Sequence, residues 1–122
     1  MLFFQQIFSR VPRKEILRFL RRNPGMSQVA RDGRQLVGAI LCGHDGRRGL
    51  MYHMAVASSH RRMGLGKKLA GRCLKALGEK GIRKCYILVR AENKSGLDFW
   101  LSDGWRIYGD VALMGKDTKK SR

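Results

Sequence analysis

Apolar residues recur along this chain with two different periods, and the switches between them mark its elements. In "VPRKEILRFLRRNPG", Ile16, Leu17 and Leu20 share one face of a predicted helix, Pro12 suits its first turn, and Asn23-Pro24-Gly25 ends it. The opposite face is basic. "MSQVAR" and "QLVGAILCG", meeting at Asp32-Gly33, predict two antiparallel strands in a tight hairpin, and a second hairpin, "HDGRRG", leads into a third strand, "LMYHMAVA", over residues 50–57. Leu65, Leu69, Ala70, Cys73, Leu74 and Leu77 then return at helical spacing, with Lys68, Arg72, Lys75 and Glu79 elsewhere and Gly78 and Gly81 at the exit. "CYILV", residues 85–89, is apolar on both parities, as a buried strand is. Strand, helix and strand in about 40 residues predict a right-handed crossover with the two strands parallel. A short helix with Ser95 as N-cap and Gly104 beyond its end, then strands "WRIYG" and "VALMG", complete an α+β pattern with a mixed sheet.

Length changes this picture little. At 122 residues the chain reads as one domain over residues 1–122, able to bury roughly two thirds of its unfolded surface without a disulfide or metal staple. Its three cysteines, Cys42, Cys73 and Cys85, are odd in number and lack ligand spacing, so they read as buried thiols of a reducing, cytoplasmic compartment, and no metal site is expected. "MLFFQQIF" has no charged leader and is interrupted by Gln5 and Gln6, which argues against a signal peptide or a membrane span.

Charge changes it more. Lys and Arg number 26 against 9 Asp and Glu, a formal +17, which predicts attraction to phosphate-bearing or acidic partners. The excess is densest at 10–22, at 61–68 and in the basic tail over 115–122. No base-stacking aromatic pattern or DNA-binding motif accompanies it, so nucleic acid is not expected as the main partner.

The stretch "SSHRRMGLGKKL", residues 58–69, concentrates that charge around alternate glycines at a strand-to-helix junction. A P-loop would require glycine at Arg61 and Ser or Thr at Lys68, and a dinucleotide fingerprint would require glycine at Leu69. Neither fits. The spacing does meet R/Q-x-x-G-x-G/A through Arg61, Gly64 and Gly66. Glycines there let successive backbone N–H groups turn onto phosphate oxygens at a helix N-terminus, which carries about half a unit of positive charge.

On this loop, and on "NKSGLDFWLSDGW", which follows N-x-x-A-x-x-F-Y-x-x-x-G-F at Asn93, Gly96, Phe99, Trp100, Gly104 and Trp105, the chain resembles the GNAT superfamily of acetyl-CoA-dependent N-acetyltransferases over residues 13–114. The resemblance implies a mixed, mostly antiparallel sheet flanked by helices, with a parallel strand pair splayed around the cofactor. It implies that acetyl-CoA is held by the main chain at Met54, Ala55 and Val56, by the loop residues Arg61, Arg62, Met63, Gly64, Leu65, Gly66 and Lys67, and by Asn93, Gly96, Phe99 and Trp100. A backbone N–H near Val56 would stabilise the oxyanion. An amine would attack the thioester directly, needing a base and a thiolate-quenching acid. The family's usual acid is a tyrosine, and Trp100 stands in its place, leaving that role to Tyr108 or water. Leu50 stands where one version of the basic carboxylate would be. By strict alternation Leu50, Tyr52, Met54 and Val56 share one strand face and His53 with Ala55 the other, which makes Tyr52 and then His53 the acceptor-groove candidates. His44 and Asp45 are a further pair, or simply turn chemistry.

Family members usually begin with a strand and a helix, where this sequence has only the atypical segment 1–12, so the fold is expected to be N-terminally shortened. Loss of that strand would expose the edge of "MSQVAR", to be covered by Met1 to Phe8 or by a homodimer. Two other functions stay open: a coenzyme A-binding module with weak catalysis, and a basic nucleic-acid-associated protein.

Overall fold

The computed structural model describes residues 11–119, and the chain falls into two compact units divided after Leu88. In the first, helix α1 spans Arg13–Arg22. The Pro12 carbonyl accepts from Glu15 and Ile16 N–H, and Glu15 in the first turn with Arg21 and Arg22 in the last complement the helix dipole. Asn23 ends it: its N–H and its Nδ2 both donate to the Phe19 carbonyl, at 3.0 and 3.1 Å, and its Oδ1 accepts from His44 N–H at 3.0 Å.

Four strands follow: β1 (Gln28–Asp32), β2 (Gln35–His44), β3 (Gly49–Val56) and, after helix α2 (Leu65–Glu79), β4 (Cys85–Ile87). They lie in chain order, β1 antiparallel to β2, β2 antiparallel to β3, and β4 parallel to β3 as the crossover predicts. The first hairpin turns on Gly33 and Arg34, with Gly33 at φ +62 in the first central position, a backbone region open to glycine. The second turns on Asp45, whose Oδ1 accepts from Arg47 and Arg48 N–H, while His44 Nδ1 accepts from Gly46 N–H. Both His44 and Asp45 thus serve the turn.

β2 is buried on both faces. A Cβ on Gly38 would stand 3.1 Å from Leu69 of α2, whereas one on Gly43 would stand 2.7 Å from Asn23 and Phe19 at the end of α1. Since 38 and 43 have opposite parity, α2 and α1 cover opposite faces of the sheet. The α2 layer is the core: Leu69, Ala70, Cys73 and Leu77 pack onto Ile40, Cys42 and Met51, all buried. Leu74, expected on this face, is exposed.

The second unit holds α3 (Lys94–Ser102). Its N-cap is Asn93 rather than Ser95, because Asn93 Oδ1 accepts the Gly96 N–H at 3.0 Å, and Ser95 Oγ donates to the same oxygen. The cap needs Gly96, whose Cβ would lie 2.5 Å from the Asn93 amide. Gly104, at φ +93, stands past the helix end as expected.

Three expectations are corrected. Only Cys85–Ile87 of "CYILV" is strand, and Tyr86 is exposed; among the described residues β4 is an edge with β3 as its single neighbour. "WRIYG" and "VALMG" form no strand; Ile107, Val111, Leu113 and Met114 are exposed, and β-propensity without a ladder makes no strand. The third correction is to the faces of β3. The segment Met1 to Phe8, offered as an edge cover, lies outside the described residues.

Candidate functional site

β3 carries a bulge. Its partners on β2 run Leu41↔Tyr52 and then Ala39↔Ala55, so His53 and Met54 together oppose the single Ile40. His53 takes φ +49, in the left-handed region where a non-glycine residue is uncommon. The extra residue reverses the alternation. Tyr52 pairs with Leu41 on the α1 face, where its ring meets Phe19 edge-on at 5.6 Å, and Ala55 pairs with Ala39 on that same face. Val56 pairs with Gly38 on the α2 face. Tyr52 and Val56 are therefore on opposite faces, and Tyr52 and Ala55 on the same one, contrary to strict alternation.

The pairing of β3 with β4 ends at Met51↔Ile87. From Tyr52 to Val56, β3 has β2 on one side and no pairing strand among the described residues on the other. The parallel pairing thus stops one residue short of the bulge-bearing stretch of β3, as a splay of the pair requires.

The loop begins where β3 ends. Ala57 N–H donates to the Val37 carbonyl, a 3-10 turn spans Ser58–His60, and Arg61 Nε donates back to the Val56 carbonyl at 3.0 Å. One guanidinium donor of Arg61 is thus spent on anchoring the loop to β3. Arg62, at φ +64, and Gly64, at φ +78 and ψ 11, both take left-handed backbone, and a Cβ on Gly64 would meet nothing within 4 Å. Gly64 is the N-cap of α2 and gives it no side-chain cap.

This helix start differs from that of α1, where Glu15 offsets one of the two cations Arg13 and Lys14. Its first turn has no acidic residue, and Lys67 and Lys68 are exposed on it. The first N–H groups of any helix lack an intrahelical acceptor, and cations beside them destabilise it. An uncapped start with added positive charge is suited to an external anion with several acceptor oxygens.

A family comparison matches residues 1–105 to the acetyltransferase (GNAT) family. This chain belongs to that family. An acetyltransferase of Sodalis glossinidius is 30% identical over 105 residues, which are 86% of this chain and 74% of the relative. Two solved structures share the fold: Ard1 from Thermoplasma volcanium, with TM-score 0.76 at 23% identity over 84% of this chain and 74% of its own, and AAC(6')-Iy in complex with the bisubstrate analogue CoA-S-monomethyl-acetylneamine, with TM-score 0.76 at 17% identity over 93% and 86%.

The remaining GNAT candidates are distributed as follows. Burial pushes the Tyr52 phenol above its ordinary value, and the ring also stacks on His53 at 6.2 Å. Trp100 is buried, edge-on to Phe99 at 4.9 Å and to Trp105 at 5.2 Å. Tyr108 is exposed, with the Arg106 guanidinium 5.7 Å from its ring centre. Among the described residues no group of three His, Cys, Asp or Glu side chains could hold a metal ion, and no helix is long and apolar enough to cross a membrane.

Sequence reasoning missed His60 and Asp32. His60 Nε2 lies 2.9 Å from Asp32 Oδ2, and His60 Nδ1 lies 2.7 Å from Ser59 Oγ. The motif ran through His60 without assigning it a task, and no local spacing links it to a residue 28 positions earlier.

Proposed function

We propose that the protein transfers an acetyl group from acetyl-CoA directly to a primary amine. The observation that carries this reading is the β3–α2 junction, where a glycine-opened, basic helix start without a side-chain cap follows the stretch of β3 that lies beyond its last pairing with β4. When bound, acetyl-CoA supplies an activated carbonyl and a thiolate leaving group. The first N–H groups of α2, with Arg62, Lys67 and Lys68, would hold its pyrophosphate, and the main chain of Met54, Ala55 and Val56 would hold the pantetheine arm. Asn93 Oδ1 is committed to its cap on α3.

Burial pushes the Tyr52 phenol up, so it keeps its proton and is a poor base for the amine as well as a weaker acid than a free phenol. His53, at the bulge, is the candidate base. Trp100 has no useful acidity and is spent on packing. That packing also supports a second reading, a coenzyme A-binding module with weak turnover. The basic surface should repel polycationic acceptors and favour neutral or acidic ones, an acidic peptide N-terminus included.

Calorimetry with acetyl-CoA tests the proposal on the wild type and on a Gly64→Glu, Gly66→Glu double variant whose circular dichroism is unchanged. The two carboxylates should weaken binding by about 100-fold; undiminished affinity would refute the site. A panel of amines and peptides, read by thiol release and by mass of the product, then separates the two readings. Binding without turnover on any amine would favour the second.

A further inference from the structure

Between β3 and α2 the chain holds two left-handed residues, one of them Arg62, with Arg61, Arg62, Met63 and Gly64 all exposed. A non-glycine residue in that region is disfavoured and persists only where its surroundings over-determine it. The Arg61 bond to Val56 ties one side of the loop. The other tie is a side-chain chain, Asp32–His60–Ser59, running from the last residue of β1 to the 3-10 turn just before Arg61.

We propose that this chain is a clamp that sets the loop in its anion-binding shape, with His60 a positioning residue for the nucleotide half of acetyl-CoA; the inference rests on the functional reading above. A carboxylate can only accept, so the hydrogen lies on His60 Nε2 and points at Asp32, and in the neutral ring Nδ1 then accepts from the Ser59 hydroxyl. Both ring nitrogens are used, and the ring plane is fixed from two sides. The His60 side chain is only 18% exposed against 68% for Asp32, so the imidazole packs while the carboxylate reaches in from solvent. His60 N–H also donates to the Ala57 carbonyl, closing the 3-10 turn that delivers Arg61 to Val56. The clamp therefore joins the β1–β2 hairpin to the backbone immediately preceding the helix start. It acts through that backbone, at the loop rather than along β3, so it should matter for the pyrophosphate and not for the acyl-bearing arm.

That distinction supplies the test. Coenzyme A and S-acetylpantetheine, which lacks the pyrophosphate and nucleotide, are titrated into wild type, Asp32→Ala, His60→Ala, the double variant and His60→Gln. Asp32→Ala is at an exposed strand end and keeps the test open if His60→Ala fails to fold. Each single alanine variant should bind coenzyme A about 10-fold more weakly, the double variant no worse than either, because they remove one interaction. His60→Gln, whose amide N–H can still reach Asp32, should recover part of the loss. S-acetylpantetheine binding should be the same in all five. Wild-type affinity for coenzyme A in Asp32→Ala, additive losses in the double variant, or a parallel loss for S-acetylpantetheine would each overturn the clamp while leaving the functional reading standing. A wild type that binds no coenzyme A at all would sink both.

Discussion

The two helices that cover this sheet do so in different ways. α2 meets it with a continuous apolar stripe: Leu69, Ala70, Cys73 and Leu77 are buried, and Gly38 and Gly49 leave room for Leu69 and Leu77, which a Cβ on either strand would crowd. α1 buries none of its own residues; Leu17 and Leu20 are 39% and 37% exposed, and the helix is held at its C-terminal end by Phe19 and by the polar Asn23 against Gly43. The contrast is one of anchoring: α2 is fixed by packing along its length, whereas α1, on the Tyr52 face, is fixed at one end.

The largest expected effect separates the two layers directly. Leu77→Ala should cost about 3 kcal/mol, within the range of roughly 2–5 for a buried leucine, and lower Tm by roughly 10 °C in a calorimetric scan. Leu17→Ala, on the half-exposed stripe of α1, should cost less than about 1 kcal/mol. Equal losses would mean that α1 is as firmly packed as α2. Next in size is Asn23→Ala, at about 2 kcal/mol in urea titration, since it strands the His44 N–H and removes a bond to the Phe19 carbonyl in a site only 5% exposed. A loss as small as that at Leu17 would show that the polar staple does not hold α1.

The smallest effect is in pH. The three thiols gather behind α2: Cys42 and Cys73 hydrogen-bond to each other, which with burial pushes the Cys73 thiol up, and burial pushes Cys85 up to about 12. A thiol whose folded pKa is raised contributes stability that is complete below its unfolded value, near 9, and is lost as pH rises toward 12. Melting curves from pH 8 to 11 should therefore fall, and Cys85→Ala should flatten that fall slightly. A variant with the wild-type slope would remove Cys85 from the account.

Several features were legible along the chain because their causes are local. The helical spacing from Leu65 to Leu77, the glycine loop, and the stop at Asn23 depend on residues within a turn or two of each other, and all three stand in the structure. Family membership was legible for the same reason, since both motifs are short and contiguous. The capping error shows the limit even of local reading: Asn93 and Ser95 are both good caps, and only the Gly96 N–H direction chose between them.

Other features had no local cause. The β3 bulge exists because Ile40 on another strand faces two residues, and it moved Val56 to the face opposite Tyr52. The Asp32–His60 contact joins residues 28 apart whose neighbourhood arises only when a hairpin and a loop reach the same end of the sheet. "WRIYG" and "VALMG" have the composition of strands and form none. Sequence by itself determined which segments are helical, where the basic glycine loop lies and what family the chain belongs to, because backbone propensity, glycine freedom and charge act within a few residues. Tertiary structure alone decided the strand faces, the end of the β3–β4 pairing and the Asp32–His60 contact, because register and cross-strand contact are properties of pairs that the chain brings together only by folding.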